Sequence, residues 1–288
     1  MDPRRINEIR WTAPERVRQA VRSRRRPDFP TGTLLVIACD HPARGALAVG
    51  GRPYAMADRW DLLARIQTAL SRPGVHGFLG TSDLVEDLSL MGALNDRLVF
   101  GSMNRSGLAG AGFEMDDRLT GYSVAGVSEA GLDGGKVLLR IDPDDPGSNA
   151  TLERCAQVVS ALAARDLVAM VEPFISHRVD GRSRNDLTTE AVVRSIAIAS
   201  GLGTDTSRTW LKVPVAADMR RVAQATTMPL LILGGESTPG NEERWAEALR
   251  QPTVRGLVIG RSLLYPPDDD VAGAVDRVVA LTRAGRQA

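Results

Sequence analysis

The chain has 288 residues, 43% of them hydrophobic and 25% charged, which is ordinary globular composition with length enough for a sizeable core. Its formal net charge of +1 offers no global field to attract nucleic acid or an anionic membrane. No apolar run is long enough to span a bilayer, and the N-terminus lacks the apolar stretch of a secretory signal. The two cysteines, Cys39 and Cys155, are too few for a disulfide framework, so a cytoplasmic protein is expected.

In chain order, residues 1–30 read as a helical extension, with Trp11 and Val17 available to close the bottom of the domain formed by residues 31–288. The basic run Arg22–Arg26 reads as a solvated helix end whose charges complement the helix dipole. Short apolar runs then alternate with stretches of helical spacing over residues 31–288. The predicted strands are Leu34–Cys39, His76–Leu79, Arg97–Gly101, Lys136–Ile141, Leu167–Glu172, Thr209–Val213, Pro229–Leu233 and Gly256–Ile259. The predicted helices between them include Ala57–Leu70, Ser82–Leu94, Ala150–Arg165, Thr189–Ser200, Ala216–Ala225, Glu242–Arg250 and Val271–Ala284.

Continuously apolar strands alternating with helices indicate a parallel sheet covered by helices. Eight such pairs point to an α/β fold, a closed (β/α)8 TIM barrel with an N-terminal helical extension. An open dinucleotide-binding sheet would want G-x-G-x-x-G directly after the first strand, where this chain has Cys39-Asp40-His41-Pro42. In a barrel the chemistry lies at the carboxyl ends of the strands. The polar residues there are Asp40, Lys136, Glu172, Lys212, Glu236 and Arg261.

Lysine is the most informative residue type. Of the 36 basic side chains only Lys136 and Lys212 are lysine, and both sit inside apolar runs. Arginine replaces lysine wherever charge alone is needed, but it keeps its proton near neutral pH and cannot act as a nucleophile or proton donor. A charged amine between Leu211 and Val213 is expensive to desolvate, and the neutral amine can add to a ketone to form a Schiff base. The structural alternative is a lysine whose stem packs while its head pairs with Glu172 or Asp40.

Lys136 could assist by its charge or as a proton donor, or could serve as an ion-pair partner of Glu172. Glu172, expected to end its strand at Pro173, could relay protons between the lysines or balance their charge. Asp40 could be a base, a hydroxyl binder or a helix cap. Glu236 reads as ordering its loop.

Gly234 and Gly235 after one strand, and Gly260 and Arg261 after the next, have the makings of a phosphate site. Glycine lets backbone amides approach an anion and arginine adds a charged fork. Arg44, Arg105, Arg182 and Arg184 fall in other loops, where they could meet a second anion or simply be solvated. His41, His76 and His177 are the only histidines, and His76 precedes its strand, so a metal site and a cofactor are both unexpected. Cys39, one residue before Asp40, should point to the opposite side of its strand.

With those residues placed, the chain resembles the Schiff-base (class I) aldolases of the tagatose-bisphosphate and sulfofructose-phosphate branch. More distantly it resembles archaeal-type fructose-bisphosphate and deoxyribose-phosphate aldolases. The similarity runs from Leu34 to Pro266 and is carried by GGKVLLRID at 134–142, VEPF at 171–174 and WLKVPV at 210–215, backed by GGE at 234–236 and IGRSLLYP at 259–266. It implies Lys212 as the Schiff-base lysine, Lys136 and Glu172 as the acid–base pair, Asp40 as the acidic residue closing strand one, and an anion site at Gly235, Gly260 and Arg261.

It also implies a small phosphorylated sugar as substrate, dihydroxyacetone phosphate as product, and a homo-oligomer. Arginine-rich chains of this kind are further associated with inositol catabolism, which makes 6-phospho-5-dehydro-2-deoxygluconate a candidate substrate. The competing readings are a lysine-dependent thiolase (acyltransferase) or isomerase on the same barrel, and a non-catalytic sugar-phosphate binder.

Overall fold

The computed structural model describes residues 3–235 and 240–285. Two helices, α1 (Pro3–Thr12) and α2 (Pro14–Arg22), precede β1 (Leu34–Cys39). Next come α3 (Arg59–Ser71), β2 (Gly77–Gly80), α4 (Ser82–Leu90), β3 (Leu98–Ser102), α5 (Val124–Glu129), β4 (Gly134–Ile141) and α6 (Gly147–Ala163). The second half runs β5 (Val168–Val179), β6 (Arg182–Asn185), α7 (Thr189–Ser200), β7 (Thr209–Val213), α8 (Met219–Gln224) and β8 (Leu230–Leu233). It ends with α9 (Asn241–Leu249), β9 (Val254–Ile259), α10 (Arg261–Leu264) and α11 (Val271–Ala284).

Strand order is β4-β3-β2-β1-β9-β8-β7-β5, all parallel, and a β4–β5 pairing closes the ring. The fold is therefore a (β/α)8 barrel of eight strands, with β6 outside the ring as an antiparallel appendage of β5.

Alternation along the strands builds two cores. Leu34, Val36 and Ala38 of β1 point inward and join Phe100, Met170, Leu231 and Val258 in the barrel interior. Leu35, Ile37 and Cys39 point outward into the layer shared with the helices. Cys39 thus lies opposite Asp40, as the period of two requires.

Three expectations need correction here. Glu172 does not end β5: the strand continues through Pro173 and turns back at Asp180-Gly181 into β6. Pro173 is tolerated because the β5–β7 ladder covers only Ala169–Val171, so no partner there needs its missing N–H. Asp180 (φ 52°) and Gly181 (φ 73°) supply the two left-handed positions that a two-residue hairpin turn demands. Arg182 and Arg184 are therefore strand residues rather than loop residues.

Trp11 does not close the barrel; it is 87% exposed, while Ile6, Ile9, Val17 and Val21 carry the buried face of α1 and α2. The bottom is instead covered by the segment after α2, where Phe29 meets Trp210 edge-on with ring centroids 6.0 Å apart.

Nor are Arg22–Arg26 simply a solvated helix end. Arg24 is buried and donates to the Arg97 and Gly131 carbonyls and to Asp133, the last at 3.0 Å. Arg25 pairs with Asp96, and Arg26 with the other oxygen of Asp133. The run ties the N-terminal helices to the lower rim of β3 and β4.

Candidate active site

Period-two alternation places the inward side chains of β4 at Lys136, Leu138 and Arg140, while Val137, Leu139 and Ile141 face the helices. On β5 the register sets Leu138 beside Glu172, and on β7 it sets Lys212 beside Leu231. Asp40 follows Ala38 on the inward side of β1.

These residues converge at the carboxyl ends of the strands. The Glu172 carboxylate touches both lysines: Oε1 lies 2.6 Å from Lys212 Nζ and Oε2 2.5 Å from Lys136 Nζ. Lys136 Nζ also contacts Asp40 Oδ2 at 3.2 Å. The same oxygen takes Arg105 at 3.0 Å and the Ser102 hydroxyl at 3.0 Å. Lys136 is 1% exposed, Asp40 1%, Lys212 4% and Glu172 8%.

Burial acts on each charge and the neighbours decide the outcome. For Lys136 burial dominates, and its proton affinity falls below that of an ordinary lysine despite Asp40 and Glu172. For Glu172 burial favours the neutral acid, but Lys136 and Lys212 outweigh it and hold the carboxyl well below the usual range. Asp40 is likewise held ionised against burial, chiefly by Arg105 and Lys136. Burial pushes His41 down to about 3, with Asp40 opposing, so its imidazole is neutral at physiological pH.

The cluster opens into a cavity of about 520 Å³, within the range of small-molecule sites. Its wall includes Asp40, Arg44, Lys136, Glu172, Arg184, Lys212, Gly234, Gly235, Gly260 and Arg261. Apart from Arg182 and Glu236, the anion-site and catalytic candidates read from the sequence thus line one cavity, although they come from widely separated segments. Arg182, at the far end of β6, does not line the cavity among the described residues. Glu236 lies outside them.

Gly235 has φ +64° and open space where a side chain would stand, as a backbone that approaches a ligand needs. Gly260 has a packing reason as well, since a Cβ there would run into the Ala38 carbonyl oxygen.

Sequence reasoning missed Arg140, although its position four residues after Lys136 on one strand puts both on the same face. Arg105, read as a contact for a second anion or a solvated loop residue, is a direct partner of Asp40. Glu114, which joins Arg44 and Arg140 at 2.6 and 3.1 Å, had no signal, because it arrives on the long excursion between β3 and α5.

Among the described residues, no group of three or more His, Cys, Asp or Glu is placed to hold a metal ion. No helix is long and apolar enough to cross a membrane.

No curated protein matches the sequence. The chain is similar to the crystal structure of Cgl0159 from Corynebacterium glutamicum (Brevibacterium flavum), with 50% identity over 98% of this chain and 96% of that one and a TM-score of 0.95. It shares the fold of an archaeal fructose-1,6-bisphosphate aldolase described with its catalytic lysine covalently bound to the carbinolamine intermediate (16% identity, 92% and 99% covered, TM-score 0.62). The fructose-bisphosphate aldolase from Slackia heliotrinireducens is a further neighbour in fold (15% identity, 88% and 86% covered, TM-score 0.60). The Cgl0159-like family model matches residues 32–279, and the chain belongs to that family.

Proposed function

We propose that the protein is a metal-independent aldolase, an aldehyde-lyase that cleaves a phosphorylated ketose or keto-sugar acid through a Schiff base on Lys212. The observation that carries this reading is one carboxylate, Glu172, bridging two buried lysines at 2.5 and 2.6 Å on the wall of a cavity. A chain that writes every other basic residue as arginine keeps lysine only at that carboxylate. The barrel shared with Schiff-base aldolases is consistent with the assignment.

Glu172 takes a proton from the Lys212 ammonium, and the freed amine adds to the substrate ketone to give a carbinolamine. Protonation and loss of its hydroxyl as water leaves an iminium. A base removes the proton of the hydroxyl two carbons away. The carbon–carbon bond between them breaks, an aldehyde leaves, and the bonding pair moves into the iminium to form an enamine. Protonation of the enamine carbon and addition of water release dihydroxyacetone phosphate and restore Lys212.

In this reading Lys136 moves protons, the role the family resemblance gives it, and burial lowers its proton affinity. Asp40 holds it in place at 3.2 Å. Gly234, Gly235, Gly260 and Arg261 are the assigned phosphate cradle. The family resemblance extends the reading to 6-phospho-5-dehydro-2-deoxygluconate as substrate, with malonate semialdehyde as the aldehyde.

Borohydride reduction in the presence of dihydroxyacetone phosphate tests the assignment. The expected result is a single adduct, which peptide mass spectrometry locates on Lys212 and which Lys212→Arg abolishes. An adduct on Lys136, or none together with a fully active Lys212→Arg enzyme, overturns it.

A further inference from the structure

The segment after α2 covers the bottom of the barrel incompletely. Between it and the first residues of β1, β7, β8 and β9 lies a second cavity of about 420 Å³, at the opposite end of the strands from Lys136 and Lys212. Its volume falls in the range of small-molecule sites, and its wall differs in kind from that of the upper cavity.

The floor is apolar and aromatic. Leu34, Leu231 and Pro229 surround the half-buried indole of Trp210. Phe29 meets that ring edge-on at 6.0 Å, and Phe100 contacts it from the barrel interior at 5.7 Å. Phe29 remains 39% exposed and lines the cavity beside Trp210, so the corner between the two rings is open to it. Such a corner favours a flat ring, because aromatic pairs gain from stacked or edge-on contact beyond the area they bury.

The rim is cationic. Arg208 and Arg255 are the charged groups of the wall, and no carboxylate stands among the described residues that line it. Arg208 has one partner, Asp166 at 3.4 Å, in an exposed and therefore weak pair. Arg255 is exposed and makes no hydrogen bond, ion pair or ring contact among the described residues. Its guanidinium fork is thus available to a carboxylate, which it can meet with two parallel N–H donors. An apolar floor under an uncompensated cationic rim is complementary to a molecule that is aromatic at one end and anionic at the other.

We infer that the bottom of the barrel binds a small aromatic carboxylate, with its ring against Trp210 and Phe29 and its carboxylate on Arg255 and Arg208. The inference does not depend on the reaction at the top, and it stands or falls separately from the aldolase reading.

Isothermal titration of the whole protein with three probes tests it. The probe 2-naphthoate has both ring and charge, 2-naphthamide has the ring without the charge, and cyclohexanecarboxylate has the charge without an aromatic ring. Wild type is expected to bind 2-naphthoate about fivefold or more tightly than either of the others, a modest ratio because Arg255 is exposed. The Arg208→Gln, Arg255→Gln double variant is expected to bring 2-naphthoate to within about twofold of 2-naphthamide. Trp210→Leu should weaken both naphthyl probes together, and Arg261→Gln, at the other end of the barrel, should leave the charge preference as it is.

No binding of 2-naphthoate at millimolar concentration overturns the inference, whether Phe29 fills the space or a second copy of the chain covers it. A charge preference that survives the double variant, or disappears in folded Arg261→Gln, overturns it as well, since binding would then lie elsewhere. So does unchanged affinity for both naphthyl probes in Trp210→Leu.

Discussion

The two ends of the barrel bury charge in different ways. At the bottom, the Arg24 guanidinium lies among two backbone carbonyls and Asp133, and Asp133 also accepts from the Val99 amide and Arg26. The protein itself consumes most of the hydrogen-bonding capacity there, and the cation is arginine. At the top, Glu172 and Asp40 face Lys136, Lys212 and Arg105 along a cavity wall, and two of these cations are the chain's only lysines. A closed pair positions two segments of chain, whereas an open cluster with a titratable amine can exchange protons with a ligand. Reciprocal substitutions separate these uses, since an arginine for lysine at the top keeps charge but removes the proposed nucleophile, and a lysine for arginine at the bottom keeps charge but removes the fork.

The largest expected effect is therefore the loss of trapping and turnover in Lys212→Arg, with the fold retained. Next is Glu172→Gln, which keeps the shape of the side chain but removes the carboxylate that contacts both lysines, the proposed proton acceptor. Turnover is expected to fall roughly 10²–10⁴-fold, the range associated with general acid–base catalysis. Single-turnover measurement with a phosphorylated ketose checks it, and a loss below about fivefold would mean that Glu172 only balances charge.

A smaller effect, of a different kind, is expected at the bottom. Arg24→Lys leaves a positive charge near Asp133 but cannot reach two carbonyls and a carboxylate together. Partial loss of a buried ion pair and its hydrogen bonds should cost on the order of 2–3 kcal/mol. Thermal unfolding should shift down by several degrees while kcat per folded molecule stays at the wild-type value. A changed kcat with an unchanged Tm would erase the distinction between the ends.

Much of this contrast was legible in the sequence, for identifiable reasons. The barrel could be read because eight apolar strands alternate with helices, and the lysines because arginine has displaced every other lysine. The cavity residues lie at strand ends, where barrel topology alone brings them together. What escaped reading depends on tertiary partners. Trp11 looked like a core residue, but the buried stripe of the N-terminal helices falls on Ile6, Ile9, Val17 and Val21. Arg24 looked solvated because Asp133, its partner, is more than a hundred residues away in sequence. The β5–β6 hairpin did carry a local signal, Asp180-Gly181, which Pro173 obscured by suggesting that the strand had already ended. Glu114 could not have been placed from the sequence, since only the path of a long excursion brings it to Arg44 and Arg140.

The smallest predicted effect is a pH response at the top that an arginine clamp cannot produce. His41 is held neutral by burial, with its proton affinity lowered to about 3, whereas an unfolded histidine titrates near about 6.5. Between those values the unfolded chain binds a proton that the folded chain refuses, so stability falls as pH drops from about 6.5 toward 3. Asp40 and Glu172 act lower in the range. Their depressed affinities give stability that is fully present above the ordinary carboxylate values of about 4 and is lost only as pH falls further. The interval from about pH 6.5 to about pH 5 is therefore where His41 can be read apart from those carboxylates. Thermal unfolding across that interval should show a decline in wild type that is shallower in His41→Gln. Parallel curves would mean that His41 takes up its proton in the folded state and that the upper cluster tolerates another positive charge.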